Sequence, residues 1–264
     1  MGHVDLIVSA GGNTLAANIA AAEITGAANL FYGSLRRYRV EDFALVMSSY
    51  AAQTDEPNQV MTLKPSKLDP DEVDEGSYDS HETGRTLGLI IGGNSGTVRF
   101  EEADWDRLLD FVRATGTAGV HWIVANAPRS PQAVSDRLVE MTASEHSPIK
   151  DFIDVRTAGS GTLGILLARS EAVVCTADSS TMLSETVWMR RPVVAVSPKA
   201  FSLPAKEADY RAWLSKSGWT RQMPIEALTP ETLAAALDEI VVLDNNPLDA
   251  LAALLEERLP QLLS

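Results

Sequence analysis

Residues 172–197 read AVVCTADSSTMLSETVWMRRPVVAVS. The opening run, 172–175, is apolar and strand-sized. Asp178, Ser179, Ser180 and Thr181 follow, residue types that cap a helix N-terminus. Met182, Leu183, Thr186, Val187 and Met189 then recur with helical spacing on one stripe. Arg190 and Arg191 suit the negative end of that helix, and Pro192 stops it. Residues 193–196 form a second buried strand. Strand, helix and strand joined by short connections are the unit of a parallel sheet.

The start of this helix is a candidate site. Its unpaired N–H groups and positive dipole end can hold an anion, with three hydroxyls beside them. Glu185 follows Thr181 by four residues, so the two share a face. That is one residue too deep for a capping box. A carboxylate there can take a pair of sugar hydroxyls. A capped structural helix with a surface glutamate fits the same spacing.

The string DSSTMLSET, with RPVVAV after it, resembles the nucleotide-sugar motif of GT-B glycosyltransferases. It is most similar to the family named for the plant mitochondrial fission ("elongated mitochondria") protein, whose bacterial members are regarded as glycosyltransferases. That pattern runs T-x-D-S-x-S-M-x-S-E-A and then G-x-P-V, and residues 176–192 follow it well. Weaker echoes lie in LGLIIGG at 87–93 and APRSP at 127–131. The likeness extends, with falling specificity, over most of 4–242.

The resemblance implies an α/β, GT-B-like architecture of two Rossmann-like domains facing a cleft, the first small or truncated. Residues 1–84 would be the partial, acceptor-side domain with an acidic linker. Residues 85–264 would be the nucleotide-sugar-binding domain. The donor, a nucleoside-diphosphate sugar, would be held by Gly93, Asn94, Ser95, Arg129, Asp178, Ser179, Ser180, Thr181 and Glu185. Glu185 would take the ribose. Gly11, Gly12, Asn13 and Arg36 would lie on the acceptor side. The resembled family carries S-R-R-T-P where this chain has Ala127 to Pro131, so only Arg129 carries over. An N-P-Y element of the family is replaced here by residues 157–161.

Composition narrows the alternatives. The chain has 264 residues and a net charge of −14, without a basic stripe. Nucleic acid is therefore not an expected partner, since neutralising phosphates takes clustered Lys and Arg. An anionic membrane is disfavoured by the same charge, although Arg36, Arg37 and Arg39 form a local patch suited to peripheral contact. Apolar runs are strand-sized, so no membrane span is expected. No signal peptide opens the chain, and a cytoplasmic location is expected. The single Cys175 sits in an apolar strand and reads as a core residue. No D-x-D pair stands near a strand end, so neither a metal nor another cofactor is expected. No residue is marked as a general base, and nothing fixes the oligomeric state.

The rest of the chain supplies the other elements. Residues 4–9 read as a strand, followed by Gly11, Gly12 and Asn13 and an alanine-rich helix over 15–25 that Gly26 ends. Short strands are expected at 29–32, 43–48 and 59–62. The acidic, proline-containing stretch 64–84 reads as a mobile linker, and His81 in it carries no role. Then come a strand at 87–91, the turn Gly92 to Gly96, and a helix over 101–115. The turn matches neither the dinucleotide fingerprint nor a P-loop. Strands at 120–125 and 152–156, and helices at 132–143, 163–168, 205–216, 230–240 and 246–262, complete a doubly wound sheet of about five strands. Lys199 stands at the site edge. A non-catalytic scaffold is the chief rival reading. An epimerase or dehydratase lacks its fingerprint and Tyr-x-x-x-Lys pair, and a serine hydrolase lacks its G-x-S-x-G elbow.

Overall fold

The computed structural model describes residues 3–50, 56–72, 84–159 and 161–262. Residues 73–83, with His81 and the rest of the acidic stretch, fall outside them, as does Ser160. The chain divides into two compact units. One is Met1–Pro65 together with Asn245–Ser264, and the other is Ser66–Asp244. This differs from the sequence division at residue 84 in two respects: the final helix belongs to the first unit, and the expected linker from Ser66 onward belongs to the second.

The first unit is a four-stranded parallel sheet in the order β1-β2-β3-β4. The strands are β1 (Leu6–Ala10), β2 (Ala28–Tyr32), β3 (Leu45–Ser48) and β4 (Gln59–Met61), and helix α1 (Leu15–Thr25) joins the first two. Gly26 ends α1 in the left-handed conformation at φ 72°, its N–H donating to the Ala22 carbonyl. Alternation along the strands makes two cores. Phe31 and Val46 pack with Leu15, Val40 and Phe43. Leu30, Leu45 and Met47 point the other way and pack with Leu251, Leu255 and Leu259. The first two of these leucines lie on α9 (Pro247–Arg258). That second face is why the C-terminal helix sorts with the first unit: without it, the sheet would leave a row of apolar side chains in water.

The second unit is a six-stranded parallel sheet, one strand more than expected, in the order β10-β9-β8-β5-β6-β7. Its strands are β5 (Arg85–Ile90), β6 (Val120–Ala125), β7 (Ile149–Ile153), β8 (Ala172–Thr176), β9 (Val193–Ser197) and β10 (Thr220–Pro224). The crossover helices are α2 (Glu102–Gly116), α3 (Gln132–Ala143), the pair α4 (Val155–Ala158) and α5 (Thr162–Ala168), α6 (Ser180–Trp188) and α7 (Ala205–Lys216), with α8 (Pro230–Asp238) after the last strand. β8 and β9 are buried along their whole length, as strands covered on both faces must be. On one face Trp105, Leu108, Leu109 and Val112 of α2 meet Leu87, Leu89, Val174 and Val194. On the other, Gly88 has no room for a side chain: a Cβ there would lie 2.6 Å from Leu166 of α5.

Two expectations shift. The strand read at 152–156 is Ile149–Ile153, because Asp154 caps the turn after it, accepting from the Arg156 N–H at 3.0 Å. Arg156 Nε and Asn126 Nδ2 also donate to that carboxylate. The hydrogen bond from the Arg156 side chain, first among these contacts, holds the Asp154 pKa down to about 2. The added strand β10 has the sequence TRQMP and forms a half-exposed edge. It has no apolar run to announce it. Among the described residues no helix is long and apolar enough to cross a membrane.

Candidate functional site

In the larger sheet the chain starts in the middle at β5, runs outward through β6 and β7, and returns to the opposite side of β5 with β8. The connections leaving β5 and β8 therefore diverge. A crevice opens beyond the C-terminal ends of two such strands, where open α/β sheets bind ligands. Three loop ends meet there: Ile91 to Ser95 after β5, Asn126 to Pro131 after β6, and Ala177 to Ser179 leading into α6.

A chain of buried hydrogen bonds ties these loops together. The Gly92 N–H donates to Thr176 Oγ1 at 2.7 Å. Thr176 Oγ1 donates to Asp178 Oδ1 at 2.7 Å. Arg129 Nη2 donates to Asp178 Oδ2 at 2.9 Å. The Asp178 side chain is fully buried, whereas that of Arg129 is 49% exposed. Ser130 Oγ accepts from the Ala127 N–H and donates to the Ile91 carbonyl. Both glycines are dictated by this packing. A Cβ on Gly92 would sit 2.2 Å from the Asp178 oxygens, and one on Gly93 would sit 2.1 Å from the Arg129 carbonyl oxygen. Asp178 thus faces inward and fixes the Arg129 guanidinium at the crevice.

Ser179 is the N-cap of α6, its Oγ accepting from the Met182 N–H at 3.3 Å. Ser180 is buried: its Oγ donates to Glu207 Oε2 at 2.5 Å and accepts from Arg211 Nε at 3.1 Å. Its hydroxyl is thereby committed to α7. Thr181 is exposed. By helix geometry the N–H groups of Ser180 and Thr181 have no intrahelical acceptor. Asn94 is exposed, and its Oδ1 accepts from the Phe100 N–H at 2.8 Å, closing the loop after β5. Ser95 pairs with Val98 across that loop.

Glu185 lies one turn into α6 and is half-buried. Desolvation raises its carboxyl pKa, and Lys67 pulls it part of the way back. Lys67 belongs to the segment 66–72, which is seated on this unit. Trp188 Nε1 donates to the Leu68 carbonyl at 2.8 Å, and Arg190 pairs with Asp71. A Cβ on Gly164 would lie 3.2 Å from Leu68. In the first unit the structure brings Gly12 and Arg36 into contact, a Gly12 Cβ falling 2.2 Å from Arg36 Nε. Gly11 turns at φ 83°, and Asn13 is exposed. Lys199, beyond β9, is exposed.

Sequence reasoning missed Thr176, Ser130 and Arg211. The T-x-D spacing held a signal for Thr176, since a strand-end threonine two residues before a buried Asp can bond it. Nothing in the sequence marked Arg211, which reads as one more charge on a helix.

Two parallel Rossmann-like sheets, the larger with its crevice at the central switch point, define the GT-B class of fold. Within it, the chain belongs to the mitochondrial fission ELM1 family, whose model matches residues 3–242. Among solved structures the chain is similar to MurG of Acinetobacter baumannii, at 14% identity and a TM-score of 0.51, covering 96% of this chain and 73% of that one. It is also similar to the glycosyltransferase SnogD of Streptomyces nogalater, at 12% identity and a TM-score of 0.52, covering 98% and 69%. A candidate UDP-N-acetylglucosamine 2-epimerase from Listeria monocytogenes shares the fold at 12% identity and a TM-score of 0.54, covering 97% and 74%. No curated protein sequence matches.

Proposed function

We propose that the protein is a glycosyltransferase that takes its sugar from a nucleoside-diphosphate donor held at the ends of β5 and β8. The observation that carries this reading is the convergence of Gly93, the fixed Arg129 guanidinium and the start of α6 at one switch point. Helix N–H groups and a guanidinium suit a diphosphate, and they would stabilise the charge that grows on it as the glycosidic bond breaks. Ser179, Thr181, Asn94 and Ser95 line the approach. Ser180 contributes its backbone N–H, and Asp178 acts through Arg129. Glu185 takes the ribose hydroxyls. Gly11, Gly12, Asn13 and Arg36 serve the acceptor side. The diphosphate is held by backbone and arginine, without a divalent ion or other cofactor. The protein works in the cytoplasm.

The supporting comparison is that SnogD, of the same fold, is a glycosyltransferase. The test is incubation with uridine-diphosphate sugars and candidate acceptors, with and without EDTA. The expected result is release of the nucleoside diphosphate in both conditions. Conversion of the donor into an epimer with no release would overturn transfer. Activity lost in EDTA and restored by magnesium or manganese would overturn the metal-independent assignment.

A further inference from the structure

Arg211 stands midway along α7 and is only 5% exposed. Its Nε is engaged, donating to Ser180 Oγ. Nη1 and Nη2 are buried, and no acceptor among the described residues reaches either. Burial lowers the pKa of this guanidinium, partly offset by Cys175, Glu207, Asp178 and Tyr210. An arginine keeps its charge even so. Buried donors are nearly always paired, and leaving two charged ones unmade is costly.

Beside Arg211 lies a groove of about 430 Å³, walled by Phe201 and Leu203 and rimmed by Ser202, Ser215 and Gln222. Ala208 and Ala212 of α7 also line it, and their small side chains leave it open. The Phe201 ring centroid is 6.0 Å from the guanidinium carbon. Phe201 is half-buried in the loop between β9 and α7 and also packs against the core of the larger sheet, so a ligand reaches the guanidinium by displacing that ring. Arg211 is the one charged residue among the described lining.

We propose that this groove binds a carboxylate carried on a flat or apolar body, the carboxylate accepting from Nη1 and Nη2 of Arg211 and the body lying against Phe201 and Leu203. The Nη1–Nη2 edge offers two N–H groups spaced for the two oxygens of one carboxylate. A single cation with Glu207 nearby matches a singly charged ligand better than a phosphate dianion. The site stands on the α7 flank and is separate from the crevice at β5 and β8. It is joined to that crevice at two points. The same guanidinium holds the hydroxyl of the first residue of α6. The loop carrying Phe201 is bonded to the loop after β5, the Thr97 hydroxyl donating to the Ser202 carbonyl and the Arg99 N–H to the Ala200 carbonyl.

The test uses benzoate as the probe, with benzamide as its neutral counterpart and inorganic phosphate as the competing oxyanion, titrated into the full chain. None of the three carries a nucleotide or a sugar, so the result stands apart from the donor-site reading. Two variants are compared. Arg211→Gln removes the charge, and Ala212→Leu narrows the groove from an exposed helix position. Benzoate should bind saturably, with benzamide and both variants weaker by about tenfold or more. Should Arg211→Gln fail to fold, Ala212→Leu decides alone. Benzoate binding no tighter than benzamide, phosphate binding tighter than benzoate, or benzoate affinity unchanged in Ala212→Leu would each overturn the proposal.

Discussion

Glu185 and Asp154 are carboxylates displaced in opposite directions, and each makes a separate pH prediction. Desolvation raises the Glu185 carboxyl above the usual carboxylate range. Its contribution to stability is therefore fully present below the unfolded pKa and is lost as pH rises through the folded one. Glu185→Gln should stabilise the unliganded protein at neutral pH, a shift that thermal melts would show. Ligand binding should respond the other way. A protonated carboxyl is a poorer acceptor for ribose hydroxyls, so uridine diphosphate affinity should fall as pH drops through the raised pKa. Lys67→Ala, which removes the offsetting cation, should move that fall to higher pH. Titrations across the acid side of neutrality measure both. Asp154 is held down to about 2, below the usual carboxylate range, chiefly by its hydrogen bond from the Arg156 side chain. Its stabilisation is present above the unfolded pKa and is lost as pH falls through the folded value. The stability gap between the protein and Asp154→Asn, followed by urea denaturation, should be constant above that window and close within it.

Among the elements, the connection from β8 into α6 was the most legible in sequence. An apolar run, a Ser N-cap and a terminal Pro are local signals, and β8, α6 and β9 follow them. The bonds holding the loop ends together were not legible, because Gly92, Thr176, Asp178 and Arg129 are far apart in the chain. The glycines of Gly92–Gly93 read as a backbone approach to a ligand. The structure adds that they also make room for the Asp178 carboxylate and the Arg129 carbonyl. Ser180 shows the same limit, since spacing cannot tell whether a hydroxyl at a helix start faces the crevice or a neighbouring helix. Gly92→Ala should force the Asp178 carboxylate aside and loosen Arg129, destabilising the fold by about 1–3 kcal/mol, as overpacking does. Urea denaturation measures this, and stability equal to that of the parent protein would show that the loops can give way.

At the scale of the whole molecule, a parallel α/β sheet was readable from strand–helix alternation and the GT-B arrangement from the family resemblance, whereas the assignment of segments to units was not. The last helix has leucines spaced for packing, but no local feature states that their partners are Leu30, Leu45 and Met47. Removing residues 245–264 should therefore expose one face of the smaller sheet. Amide hydrogen exchange should accelerate in β2 and β3 and stay slow in β5 and β8; equal loss in both sheets would contradict the division into units. The segment 66–72 read as a mobile linker because it is polar and proline-containing, yet it is seated on α5 and α6 through Leu68 and Asp71. The account of function rests on the crevice at β5 and β8 binding a nucleoside diphosphate. Calorimetric titration of uridine, guanosine and adenosine diphosphates into the protein and into Glu185→Ala tests it most directly. At least one should bind the parent, and Glu185→Ala should bind that one about tenfold or more weakly, the worth of a charge-assisted hydrogen bond at ~1.5–3 kcal/mol. Absence of binding by all three, or an affinity that Glu185→Ala leaves unchanged, would contradict the account.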